Sequence, residues 1–158
     1  KDVSDFVPIL RAVSSEIKKD VFTDLAEDWK TKDEIEEQYG DEGVEALKHF
    51  EKMKLVETRW QHTDRETKKA YHTYYSSVHI DASVPIKEIS EVLYAAMVDE
   101  DSFDELEENV LKYVREGDNF AKDIAEKLSI SPTTLKSLVK RSLKLDYRGH
   151  RITEVSED

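Results

Sequence analysis

Apolar residues recur at helical spacing along most of the chain and at strand spacing in two places. Phe6, Ile9, Leu10 and Val13 stand three, one and three apart, which predicts a helix that Ser4 can cap. Pro8 falls in its first turn, where proline is tolerated. Ile17, Val21, Leu25 and Ala26 predict a second helix. Thr31 and Glu34 have capping-box spacing, each side chain satisfying a free backbone N–H, and the short helix they begin is expected to stop at Gly40. Val44, Leu47 and Phe50 mark the inner face of the next helix. The period then changes: β-prone runs at Thr58–Gln61 and Ala70–Ile80 flank a polar tip at His62–Lys69, a hairpin. Helix, short helix, longer helix and hairpin is the order of a winged helix-turn-helix.

Ile86, Ile89, Leu93 and Met97 predict a further helix, and the acidic run VDEDSFDELEE after it is the natural domain junction. Ser102 or Asp101 can cap the following helix, whose apolar face is Phe103, Leu106, Val110 and Val114 and whose end is Gly117. The earlier order then returns. Ile124, Ala125 and Leu128 give a short helix, and Leu135, Leu138, Val139 and Leu143 a longer one. Two short strands are expected around Arg148-Gly149-His150. The fold class expected is mostly α with small β-hairpins (α+β), as tandem winged helix-turn-helix domains. The first spans 1–98 with flanking helices, and a shorter second spans 99–158.

Charge divides the chain in a similar way. The formal net charge over 158 residues is -12, yet residues 119–155 carry 8 basic and 4 acidic side chains. A basic segment in an acidic chain points to a polyanion. In SISPTTLKSLVKRSL, Ile130 plugs a turn, Ser131 caps a helix and Pro132 takes its first position. The N-terminal residues of such a helix enter the major groove in this motif. Thr133, Thr134 and Lys136 are therefore expected to face bases, and Ser137, Lys140 and Arg141 bases or phosphates. Arg148, His150 and Arg151 would grip the flanking backbone from the wing. In the first domain, Asp41, Glu42 and Glu45 repel phosphate from the start of the corresponding helix. Its expected contacts lie further along, at Lys48 and Lys52, and on the wing at Arg59, Arg65, Lys68 and Lys69. The competing expectation is an adaptor without direct DNA binding, whose acidic first domain docks a basic protein partner.

Other chemistry is sparsely supported. With zero cysteines, disulfides and thiolate metal sites are excluded. His72, His79 and Asp81 are close in sequence, but residues seven apart on one strand face opposite sides, so no metal site and no cofactor is expected. Trp60, Tyr71, Tyr74 and Tyr75 are expected to pack the core and stiffen the hairpin, with a pocket or stacking surface as the alternative. The four glycines form no phosphate-cradling loop, so no enzyme is expected. The opening KDVSDFVPIL lacks the apolar core of a secretory signal, and no run is long enough to span a membrane, so the expected location is the cytoplasm.

GVEALKHFEKMKLVETRW, KKAYHTYYSSVHI and KRSLKLDYRGHRI together resemble archaeal transcriptional regulators related to the ArsR winged-helix group. The resemblance implies a DNA-binding homodimer in an archaeal cytoplasm. Helices outside the helix-turn-helix commonly build the subunit interface in such dimers. Here that points to Phe6, Ile9, Leu10 and Val13, with Ile89, Leu93 and Met97. The cysteine pair of metal-sensing members has no counterpart, so the resemblance implies no metal response.

Overall fold

The computed structural model describes residues 2–77 and 83–156. A 3-10 turn, Val3–Phe6, leads into helix α1 (Val7–Ala12). Asp2, not Ser4, caps the turn. Its carboxylate accepts from the Ser4 amide and hydroxyl, while the Asp5 carboxylate accepts from the Asp2 amide.

The chain forms two compact units, residues 12–81 and residues 1–11 with 82–158. This partition differs from a boundary at residue 98. The helix over 86–97 groups with later residues because Val92 and Ala96 pack with Val7, and Ala95 with Phe103 and Leu138.

Within unit 12–81, Ser15 caps α2 (Glu16–Glu27), which buries Val21 and Leu25; Ala26 is exposed. A two-residue strand, β1 (Lys30–Thr31), precedes α3 (Lys32–Lys52). The Thr31/Glu34 capping box is present, with the Thr31 amide donating to Glu34 at 2.7 Å and the Glu34 amide to Thr31 at 3.3 Å. Gly40, at φ +68° and ψ -157°, breaks α3 into two helical segments, a conformation that glycine adopts without a Cβ penalty. Strands β2 (Val56–His62) and β3 (Thr67–Thr73) form the hairpin, and β1 adds to β3, giving the antiparallel order β1-β3-β2. The strands reach further into the tip than expected, pairing Gln61 with Lys68 and His62 with Thr67, and β3 ends at Thr73. Residues 78–80 of the expected strand lie outside the described residues. Leu25, Ile35, Leu47, Phe50 and Ala70 fill the core, with Phe22 edge-on to Phe50 at 5.2 Å.

In the other unit, α4 (Ile86–Met97) is followed by α5 (Glu100–Arg115). Asp99 caps α5, one turn before its bonded partner Ser102. Helix α6 (Ala121–Leu128) ends at Ser129 in the left-handed region, and α7 (Pro132–Arg141) begins from the Ser131 cap with proline in the first turn, as expected. Helix α7 stops at Arg141, so Leu143 is exposed rather than inward. Strands β4 (Leu145–Arg148) and β5 (Arg151–Glu154) form a hairpin turning at Gly149, φ +62°. Phe120 bridges to Arg151, so the residue before α6 adds to the last strand, as β1 adds to β3. The core holds Val110, Leu111, Ile124, Ala125, Leu135, Val139, Leu145 and Ile152. The fold is α+β, and the repeated order is compatible with two winged helices.

Candidate nucleic-acid interface

Helix α7 has three functional faces set by its period. Leu135 and Val139 point into the core of the unit. Thr134, Leu138 and Arg141 lie along a second stripe, and all three are buried. Thr133, Lys136, Ser137 and Lys140 share the third.

Arg141 is therefore no DNA contact in this structure. The residue is 4% exposed, and its guanidinium donates to the Ala95 carbonyl at 3.1 Å, the Val98 carbonyl at 2.6 Å and the Glu100 carboxylate at 3.1 Å. It also lies 4.2 Å over the Phe103 ring. Burial, and then the nearby Arg11 guanidinium, lower its pKa against the opposing pull of Glu100. Arg11 donates to the Ala96 carbonyl and to Glu100 as well. Helix α4 has no basic residue in its own last turn, so two guanidiniums from elsewhere satisfy its terminal carbonyls. The readable signal for this role is that Arg141 continues the Thr134–Leu138 stripe.

The third face is also covered. Lys136 pairs with Asp2 at 3.1 Å and Lys140 with Asp5 at 3.2 Å, the first acid capping the 3-10 turn and the second lying within it. Burial opposes ionisation of Asp2, but the Ser4 amide and hydroxyl and the Lys136 ammonium outweigh it and hold the carboxyl at about 2. Ser137 is fully buried, and its hydroxyl has no hydrogen-bond partner among the described residues. Thr134 donates its amide to the Ser131 hydroxyl, a cap rather than a base contact. The continuous cationic surface expected of this segment is thus closed by carboxylates of the same chain. On its hairpin, Arg148, His150 and Arg151 remain exposed. Arg148 pairs with Asp146 at 3.2 Å, and Arg151 lies 4.4 Å over Phe120.

Unit 12–81 differs. Asp41, Glu42 and Glu45 are exposed on the second segment of α3, and Lys48 pairs with Glu45. Lys68 bridges Asp33 and Glu66, whose hydrogen bonds raise its pKa, and Lys69 pairs with Glu51 at 2.6 Å. Lys52 and Arg65 are exposed and have no ion pair among the described residues. Arg59 is exposed and its guanidinium lies 4.2 Å over the Trp29 ring. Lys54, which no apolar period or cap singles out in the sequence, is exposed at φ +57° in the turn between α3 and β2.

Of the hairpin aromatics, Tyr71 is buried as expected, but Tyr74 and Tyr75 are exposed and stack edge to face. Trp60, opposite Lys69 in the register, is 65% exposed, so it does not pack the core. The partner strand offers Trp60 a lysine where a core position would need an apolar neighbour. His72 rests against Trp29, with Nδ1 2.8 Å from the Thr73 carbonyl. His79 and Asp81 lie outside the described residues, and no cluster of metal-ligating side chains occurs among those described.

Helix α4 buries Val92, Ala95 and Ala96 and exposes Ile86, Leu93, Tyr94 and Met97. Val13 is also exposed, whereas Phe6, Ile9, Leu10 and Ile89 are half-buried. No helix among the described residues is long and apolar enough to cross a membrane.

One family model matches residues 1–156, and its description is ArsR transcriptional regulator. No curated protein and no solved structure matches the chain.

Proposed function

The chain belongs to the ArsR family of transcriptional regulators, and from that membership we propose that it acts in the cytoplasm as a homodimer whose wing in unit 12–81 grips duplex DNA. The observation that carries the proposal is the distribution of open charge in that unit. On the second α3 segment the acids Asp41, Glu42 and Glu45 sit at the start and Lys52 at the far end, and Lys52 and, on the wing, Arg65 are exposed cations with no ion pair among the described residues. Contact through the wing avoids the repulsion that insertion of Asp41, Glu42 and Glu45 would meet. Arg59 and Lys54 extend the cationic side. Lys68 and Lys69, on opposite faces of β3, add charge to the wing when phosphate displaces their carboxylate partners, because ion pairs this exposed are weak. Exposed Trp60 offers an apolar ring beside them.

The dimer surface proposed is the unburied side of α4, with Ile89, Leu93 and Met97 beside Ile86, together with Phe6, Ile9 and Leu10 of the same unit. A helix that buries one stripe and exposes a second apolar stripe suits a second copy of the chain.

Titration of duplex DNA against salt tests the wing. The Lys52→Glu/Arg65→Glu variant is expected to bind about 10- to 100-fold more weakly across unrelated sequences, with a log–log salt slope shallower by roughly two. Unchanged binding overturns the wing assignment. An absence of DNA affinity in the parent chain at physiological salt transfers the reading to an acidic adaptor for a basic protein.

A further inference from the structure

We infer that the face of α7 formed by Thr133, Lys136, Ser137 and Lys140 is a latent contact for the DNA backbone, held closed by the aspartates of the 3-10 turn. This goes beyond the wing contact and rests on that reading only in taking duplex DNA as the ligand.

Three observations carry it. First, the face has the composition of a phosphate contact, with two ammoniums one helical turn apart and two hydroxyls between and before them. Second, its cover supplies anions at the same two points: Asp2 meets Lys136 and Asp5 meets Lys140. The turn's own hydrogen bonds fix both carboxylates, since Asp2 accepts from the Ser4 amide and Asp5 from the Asp2 amide. Third, the match is incomplete. The Ser137 hydroxyl is buried without a partner in the closed arrangement. A helix surface evolved only to seat this turn would gain by carrying alanine there, because a buried hydroxyl without a hydrogen bond costs free energy. A phosphate oxygen would satisfy it.

The cover is built to yield. Its ion pairs are partly exposed and therefore screened by salt and open to competition from another polyanion. The hydrophobic core of the unit, around Ile124, Leu135 and Ile152, includes no residue of the turn. Within the turn, Val3 is partly buried against Val7, Val92 and Ala96, Ser4 is buried and Phe6 half-buried.

The experiment measures duplex binding by the full chain carrying Lys52→Glu/Arg65→Glu, so that the proposed wing contact is silent. Adding Asp2→Asn/Asp5→Asn is expected to raise affinity about tenfold at low salt and to steepen the salt slope by roughly two, one for each released lysine. Further substitution of Lys136→Gln/Lys140→Gln is expected to erase that gain. Val3→Asp, which unseats the turn while keeping both aspartates, is expected to raise affinity too, despite its added negative charge. Circular dichroism melting verifies that each variant keeps its fold. The proposal is overturned if neither the Asp2/Asp5 nor the Val3 variant gains affinity, if the gain survives loss of the lysines, or if polyglutamate binds the opened chain as tightly as the duplex does. Failure of the wing reading would show instead in the Lys52/Arg65 comparison, which leaves residues 2–6 untouched.

Discussion

The guanidinium of Arg141 sits where the last turn of α4 leaves backbone carbonyls without partners of their own. Replacing it with methionine keeps much of the volume but strands the Ala95 and Val98 acceptors. Arg141→Met is expected to lower unfolding stability by about 2–4 kcal/mol in urea titration. The salt slope of DNA binding should be unmoved, because the side chain is buried and its guanidinium is taken up by the Ala95 and Val98 carbonyls and Glu100. A role at the phosphate backbone would give the reverse pattern. At this scale charge was a poor guide, since a basic residue's sequence neighbours do not reveal which carbonyls or carboxylates fold against it. Lys136 and Lys140 look like open contacts until Asp2 and Asp5 are brought beside them from more than a hundred residues away. Trp60 misled in the opposite direction: its apolar bulk suggested a core, but its strand register sets it opposite Lys69.

Element boundaries were most legible where local chemistry decides them. The Thr31/Glu34 box, the break at Gly40 and the Ser131-Pro132 start all depend on residues within one turn, and each is present. The hairpin was less legible because backbone pairing, not side-chain pattern, carries β2 and β3 into the polar tip. One close approach governs α3. A Cβ added at Gly43 would lie 2.4 Å from the Tyr39 Cβ, so the two segments can meet across the Gly40 break only without a side chain there. Gly43→Ala is expected to destabilise the protein by roughly 1–3 kcal/mol through this overlap. Thermal melting checks it, and an unchanged midpoint would mean that the segments can separate at little cost. Gly40→Ala acts differently, through positive φ with open space around the Cβ.

Over the whole molecule, the repeated helix order is readable in the sequence, whereas the packing of pieces distant in the chain depends on contacts that periodicity does not encode. Periodicity marks which face of α4 is apolar, but α4 has two such stripes. Only packing shows that Val92, Ala95 and Ala96 are the buried one. The remaining stripe bears on assembly. Ile86 is 85% exposed and Met97 77% exposed, and Ile86→Glu/Met97→Glu is expected to convert a dimer to monomers in sedimentation equilibrium without altering the circular dichroism spectrum. A parent chain that sediments as a monomer would remove the homodimer from the proposal. The grouping of 1–11 with 82–158 also sets a kinetic condition. Joining these stretches means closing a loop through all of 12–81, an entropic toll that grows with the logarithm of the length of flexible chain. A nascent 12–81 that condenses first shortens the flexible part of that loop. The order of events during synthesis then favours the inserted segment maturing early, with residues 1–11 waiting for partners that are made after it.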